Sequence, residues 1–99
     1  MSTEELVSKY ISACEQILKE LQTSESPECF DPAKVKEIIE YAHAYLKDAK
    51  YYRQEGKFDV SLTSVAYCEG LLDALRLLGT VKFEWPKATN PRTKKRKQS

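Results

Sequence analysis

Glycine is scarce in this 99-residue chain: there are three. That scarcity disfavours glycine-rich phosphate loops and tight-turned β architectures. No apolar run approaches the roughly 20 residues that a membrane span needs. The opening Met1-Ser2-Thr3-Glu4-Glu5 is acidic and carries no apolar stretch, so no signal peptide is expected. Cysteine occurs three times, at Cys14, Cys29 and Cys68. An odd number at wide spacing argues against a disulfide framework and against a zinc knuckle. Histidine occurs once, as His43, which leaves no Cys–His or Ser–His–Asp set to assemble around a buried base. The chain also lacks a Walker loop, a dinucleotide fingerprint and an HExxH pair. A catalytic reading has no residues to start from, so the expectation is a protein that is not an enzyme, with no cofactor and no metal.

What is present is helical periodicity. The length suits one core. Leu6, Val7, Tyr10, Ile11, Cys14, Ile17, Leu18 and Leu21 recur at helical steps and predict a first helix over 3–21. Ser2 and Glu5 have capping-box spacing at its start. A polar linker follows, then Asp31-Pro32, which reads as an N-cap and a first-turn proline. The second helix is predicted over 32–55, with Val35, Ile38, Ile39, Ala42, Tyr45, Leu46, Ala49 and Tyr52 on its apolar face. His43 falls on its polar stripe, and Gly56 closes it as a left-handed cap. Phe58-Asp59 supplies an apolar residue and a capping carboxylate for a third helix over 60–78, stopped by Gly79. Its core face is Val65, Cys68, Leu71, Leu72, Leu75 and Leu78, widened by Val60, Leu62, Ala66, Tyr67 and Leu77. A helix this apolar touches two neighbours or a second subunit. From Thr80 the period changes to two: Val81, Phe83 and Trp85 alternate with Lys82 and Glu84, which predicts an extended arm laid on the helices. The fold expected is all-α: an up-down-up three-helix bundle with an extended arm over residues 1–86, and a disordered basic tail over 87–99.

Charge divides at the same boundary. Residues 1–79 hold nine basic and 14 acidic side chains, a net of −5, whereas residues 80–99 hold seven basic and one acidic, a net of +6. Arg92, Lys94, Lys95, Arg96 and Lys97 concentrate the positive charge. A cationic segment of this kind gains affinity for nucleic acid by releasing counterions. It also fits a nuclear-import pattern, and its bland alternative is a solubilising tail. It has no aromatic residue on which a base would stack.

A second cluster spans two helices. Tyr45, Asp48 and Tyr52 share one face of the second helix, and Tyr67, Gly70 and Asp73 follow on the third. One reading is a small-ligand pocket at this Tyr/Asp seam. The other is structural, with hydroxyls satisfying buried carboxylates and Gly70 admitting a tyrosine against the backbone.

The strings Tyr45-Leu46-Lys47-Asp48-Ala49-Lys50-Tyr51-Tyr52, Gly56-Lys57-Phe58 and Ala66-Tyr67-Cys68-Glu69-Gly70-Leu71-Leu72-Asp73-Ala74-Leu75-Arg76-Leu77-Leu78-Gly79 resemble the archaeal domain of unknown function 357. The resemblance implies a small three-helix bundle of the spectrin-like or albumin-binding-module class, an archaeal cytoplasm and no assigned activity. An archaeal setting removes the import reading, and the tail lies outside the family pattern. There is a looser likeness to HEPN helical domains, but their ribonuclease motif places an Arg shortly before the His, and His43 has none. Tetratricopeptide packing is a third likeness, and one helical hairpin is not an array. The functional expectation is therefore a protein-interaction or adaptor module, self-associating through the third helix or docking an unknown protein. The alternative is a nucleic-acid or ribonucleoprotein accessory protein acting through the tail.

Overall fold

The computed structural model describes residues 2–23 and 30–86. Three helices, α1 (Thr3–Glu20), α2 (Pro32–Gln54) and α3 (Phe58–Leu77), pack as an all-α bundle. Two short strands, β1 (Gln22–Thr23) and β2 (Val81–Lys82), join its ends. The basic tail and Cys29 lie outside the described residues.

Local chemistry sets the helix ends. The Ser2 hydroxyl accepts from the Glu5 amide at 3.1 Å, and the Glu5 carboxylate accepts from the Ser2 amide at 3.3 Å. Two orphan donors are satisfied reciprocally. At α2 the Asp31 carboxylate accepts from the Ala33 amide at 2.9 Å, ahead of Pro32. Both later helices stop in the same way. Gly56 (φ 74°) and Gly79 (φ 79°) adopt the left-handed conformation. The amides of Lys57 and Thr80 then turn back to the carbonyls of Tyr52 and Leu75, at 2.9 and 3.1 Å. This is the Schellman closure, which glycine enters without a Cβ penalty. The start of α3 differs from expectation. Lys57 occupies the cap without a side-chain bond, and Asp59 sits inside the first turn, where its charge favours the helix dipole.

The core forms where the three apolar faces meet. Val7, Ile11, Cys14 and Ile17 of α1 pack with Ala42, Leu46 and Ala49 of α2 and with Val65, Cys68 and Leu72 of α3. Val35, Leu75 and Val81 form a smaller cluster beside it. Small residues let α2 and α3 approach closely. Ser61, fully buried and absent from the sequence-based core, donates its hydroxyl to the Ala49 carbonyl at 2.6 Å. Leu78 was expected inside but is half exposed, because it lies past the last turn of α3, where the chain swings into the arm.

The arm packs on the bundle, with an addition that the sequence pattern hid. Val81 and Lys82 pair antiparallel with Thr23 and Gln22, within the segment expected to be a polar linker. A two-residue strand is too short to show a period. The pairing holds Val81 at 2% exposure and sets Phe83 and Trp85 edge to face, their centroids 5.1 Å apart. Removing residues after Gly79 therefore takes away one buried and two half-buried apolar side chains and uncovers the core residues they pack against. Burial of such groups at about 1.5–3 kcal/mol each when complete predicts a loss of at least about 3 kcal/mol, read as a lower urea midpoint. An unchanged midpoint would mean that the arm contributes no packing.

Candidate interaction surface

The Tyr/Asp seam does not close into one pocket. Tyr45 stacks on Tyr67 with centroids 4.3 Å apart and planes inclined by 26°. Tyr52 meets Tyr51 edge-on at 5.4 Å. Asp48 is exposed, and so is Gly70. A Cβ built on Gly70 would meet nothing within 4 Å, so the expected close approach of a tyrosine is not there. The reason is geometric: Gly70 lies on the α3 face opposite Cys68, Leu72 and Leu75, and points to solvent.

Asp73 belongs to a different cluster. It is 6% exposed, and its Oδ1 accepts from Arg76 Nε and Nη2 at 3.2 and 3.0 Å and from the Trp85 indole at 3.0 Å. Charge-assisted bonds of this kind fix both partners. Asp73 thus ties the arm to α3, a structural role as one of the two sequence readings had it, but with Arg76 and Trp85 as partners in place of tyrosine hydroxyls. The i,i+3 spacing to Arg76 was visible in the sequence, but the Trp85 link depends on the fold.

Other polar groups near the core are also engaged within the fold. Lys50 pairs with Glu15 across α2 and α1, and the bonded ammonium holds the Glu15 carboxyl below its usual range. Arg53 donates to the Ser8 hydroxyl at 3.5 Å. Cys14 and Cys68 are free and fully buried in the same core cluster. Among the described residues no three His, Cys, Asp or Glu side chains gather to hold a metal ion. Nor is any helix among the described residues long and apolar enough to cross a membrane.

Two open clefts flank the bundle ends. One of about 550 Å³ is lined by Arg76, Gly79, Val81, Lys82, Phe83 and Glu84. The other, about 400 Å³, lies at the α2–α3 turn beside Thr3, Lys57 and Asp59. Both mix charges of opposite sign, and neither includes a seam tyrosine.

The outer face of α3 has a different character. Val60, Thr63, Ala66, Tyr67, Gly70, Ala74, Leu77 and Leu78 are all exposed. They recur at steps of one, three and four, and none is charged. Val60, Tyr67, Leu77 and Leu78 are 45–63% exposed. The charges of α3 after its first turn, Glu69, Asp73 and Arg76, lie off this face and are buried or half-buried. A solvated helix face normally carries charge.

A family model described as "Protein of unknown function (DUF357)" matches residues 9–81. The chain belongs to this family. The DUF357 match takes in α2 and α3 whole, and it ends before Phe83 and Trp85. No curated protein and no solved structure matches the chain.

Two predictions follow from these environments. Gly70 sits in open space at a non-strained φ, so Gly70→Ala should stabilise the DUF357 monomer by about 0.5–1 kcal/mol. A lower thermal midpoint would restore the tight-contact reading. The Cys14 thiol is pushed far up, first by the neighbouring Cys68 thiol and then by burial. A raised pKa contributes stability that is complete below the unfolded thiol value and is lost as pH climbs. The urea midpoint should therefore fall above pH of about 8.5, by about 1.4 kcal/mol of stability per pH unit for this thiol. Cys14→Ala should flatten that slope. An equal slope in both proteins would place the alkaline loss elsewhere.

Proposed function

We propose that this DUF357 chain is a non-catalytic interaction module that docks a protein partner on the outer face of α3. The observation that carries the reading is the absence of charge along that face from Val60 to Leu78, with Tyr67, Leu77 and Leu78 at least half exposed. Contiguous apolar surface on a small bundle marks an interaction site more often than scattered single residues do. The polar side chains argue in the same direction. Asp73, Arg76, Glu15, Lys50 and Ser61 are engaged within the fold, as positioning groups for the bundle.

A hydrophobic fluorescent probe tests the reading on the native protein. The probe should bind the folded chain, and Ala66→Lys with Ala74→Lys should abolish the signal while leaving the circular dichroism and melting temperature unchanged. Lysine is a good helix former, and both positions are exposed, so folding is preserved. Probe binding that is weak in the native protein, or unaffected by the two lysines, would remove the docking face.

The charge division favours a second reading, nucleic-acid binding through Arg92, Lys94, Lys95, Arg96 and Lys97. Phosphate contacts alone carry no base preference. The full chain should bind RNA and duplex DNA at low salt, with a logarithmic salt slope of about 0.9 per neutralised phosphate on duplex and about 0.7 on single strands. A chain ending at Pro86 should not bind. Equal binding by both would move the site to the acidic bundle, and no binding by either would end this reading.

A further inference from the structure

We propose that the basic tail docks back on its own bundle, along an acidic and aromatic stripe on the exposed side of α2. The inference goes beyond the two readings above and depends on neither.

Helical spacing sets the stripe. Glu37, Tyr41, Ala44, Asp48, Tyr51 and Glu55 follow one another at steps of four and three, and all are exposed. None is basic, and Tyr41 and Tyr51 are 54% and 57% exposed. Most basic residues of α2 are sorted away from it. Lys50 turns to Glu15 of α1, and Lys36, His43 and Lys47 share its side of the helix at steps of seven, four and three. Lys34, in the first turn, is paired with Glu37 at 3.4 Å. The stripe borders the α2–α3 seam, where Tyr45 stacks on Tyr67. Carboxylates with tyrosine faces between them suit a cationic segment, by Coulomb attraction and by cation–π contact.

The chain supplies such a segment. Residues 87–99 hold six basic and no acidic side chains, whereas residues 1–86 hold ten basic and 15 acidic, a net of −5. The described residues end at Pro86, next to Trp85, whose indole bonds Asp73. Asp73 lies six residues past Tyr67, on the opposite flank of α3. From there the tail must cross α3 and reach α2, about two helix widths or roughly 20 Å. Ala88, Thr89, Asn90 and Pro91 open that path, uncharged like the outer face of α3 beneath it. Arg92 stands six residues past Pro86 and Lys97 eleven. At about 3.3 Å per residue the basic run reaches from about 20 to about 36 Å. Tyr45 faces Tyr67 across antiparallel helices, so the level of Asp73 meets α2 near Glu40 and Tyr41. The tail lands there.

Tethering offsets the weakness of surface charge pairs. A joined segment of this length meets the stripe at an effective concentration on the order of millimolar. The contact is screened by salt. It holds the positive charge of the tail against the chain's own carboxylates, so a polyanion that takes the tail must first displace it.

A spin label on Gln98→Cys in the full chain, with Cys29→Ser, tests the contact by nuclear magnetic resonance. Cys14 and Cys68 are fully buried and stay unlabelled. At low salt the amide signals of Glu40, Tyr41, Ala44 and Asp48 should lose most of their intensity. Those of Ser12 and Gln16, on the exposed side of α1, should keep theirs. Salt at about 0.5 M should restore the lost signals. Glu40→Gln with Asp48→Asn should restore those of Tyr41 and Ala44, whereas Glu4→Gln with Glu20→Gln, which removes the same charge from α1, should not. All four positions are exposed, and an unchanged circular dichroism spectrum checks the fold. Full signals on α2 at low salt overturn the proposal, as does equal loss on α1 or an equal effect of the two double variants. Equal loss in a mixture of labelled chains with isotope-enriched unlabelled chains would place the tail on a second copy, and also overturns it.

Discussion

The close contact of α2 with α3 is the constraint on which the bundle depends. Ala42, Ala49, Ser61 and Cys68 are all fully buried, and none is large. The Ser61 hydroxyl bonded to the Ala49 carbonyl satisfies the polar group that such closeness would otherwise strand. Once α2 and α3 are fixed, Ile11, Cys14 and Ile17 of α1 fill the remaining groove. The arm closes the other side, held by the Trp85 indole on Asp73 and by the pairing of Val81 with Thr23. In this way α3 spends its inner face and one flank on the fold. Its outer face is left without charge, touched among the described residues at its edge, where Tyr67 stacks on Tyr45.

Signals contained within a few residues were legible in the sequence. The capping box at Ser2 and Glu5, the Asp31-Pro32 start and the stops at Gly56 and Gly79 each depend on four or five consecutive positions, and the structure uses them. The alternation of Val81, Phe83 and Trp85 likewise announced an arm. Contacts that join distant parts of the chain were not legible. Nothing local marks Gln22 and Thr23 as a strand, since their partner lies some 60 residues onward. Asp73 looked like part of a tyrosine seam because helical spacing places it near Gly70 in sequence. Its true partners, Arg76 and Trp85, are selected by the path of the arm.

Gly70 shows how a correct general rule can lead to a wrong local reading. A mid-helix glycine costs stability, and a packing reason is the usual explanation. Here the inner face of α3 is set by Val65, Cys68, Leu72 and Leu75, which turns residue 70 outward. The cost is then met without any benefit inside the monomer.

The central claim is that α3 has two faces with separable duties. A lysine scan along the helix, read simultaneously for urea midpoint and for binding of a hydrophobic fluorescent probe, tests it most directly. The account predicts two disjoint sets. Lysine at Val65, Cys68, Leu72 or Leu75 should collapse stability, since each side chain is buried. Lysine at Ala66, Gly70 or Ala74 should change stability by no more than about 0.5–1 kcal/mol while abolishing binding of the hydrophobic probe. Outer-face lysines that lower the midpoint as the inner ones do would contradict the account, because they would show that the fold itself already uses that face.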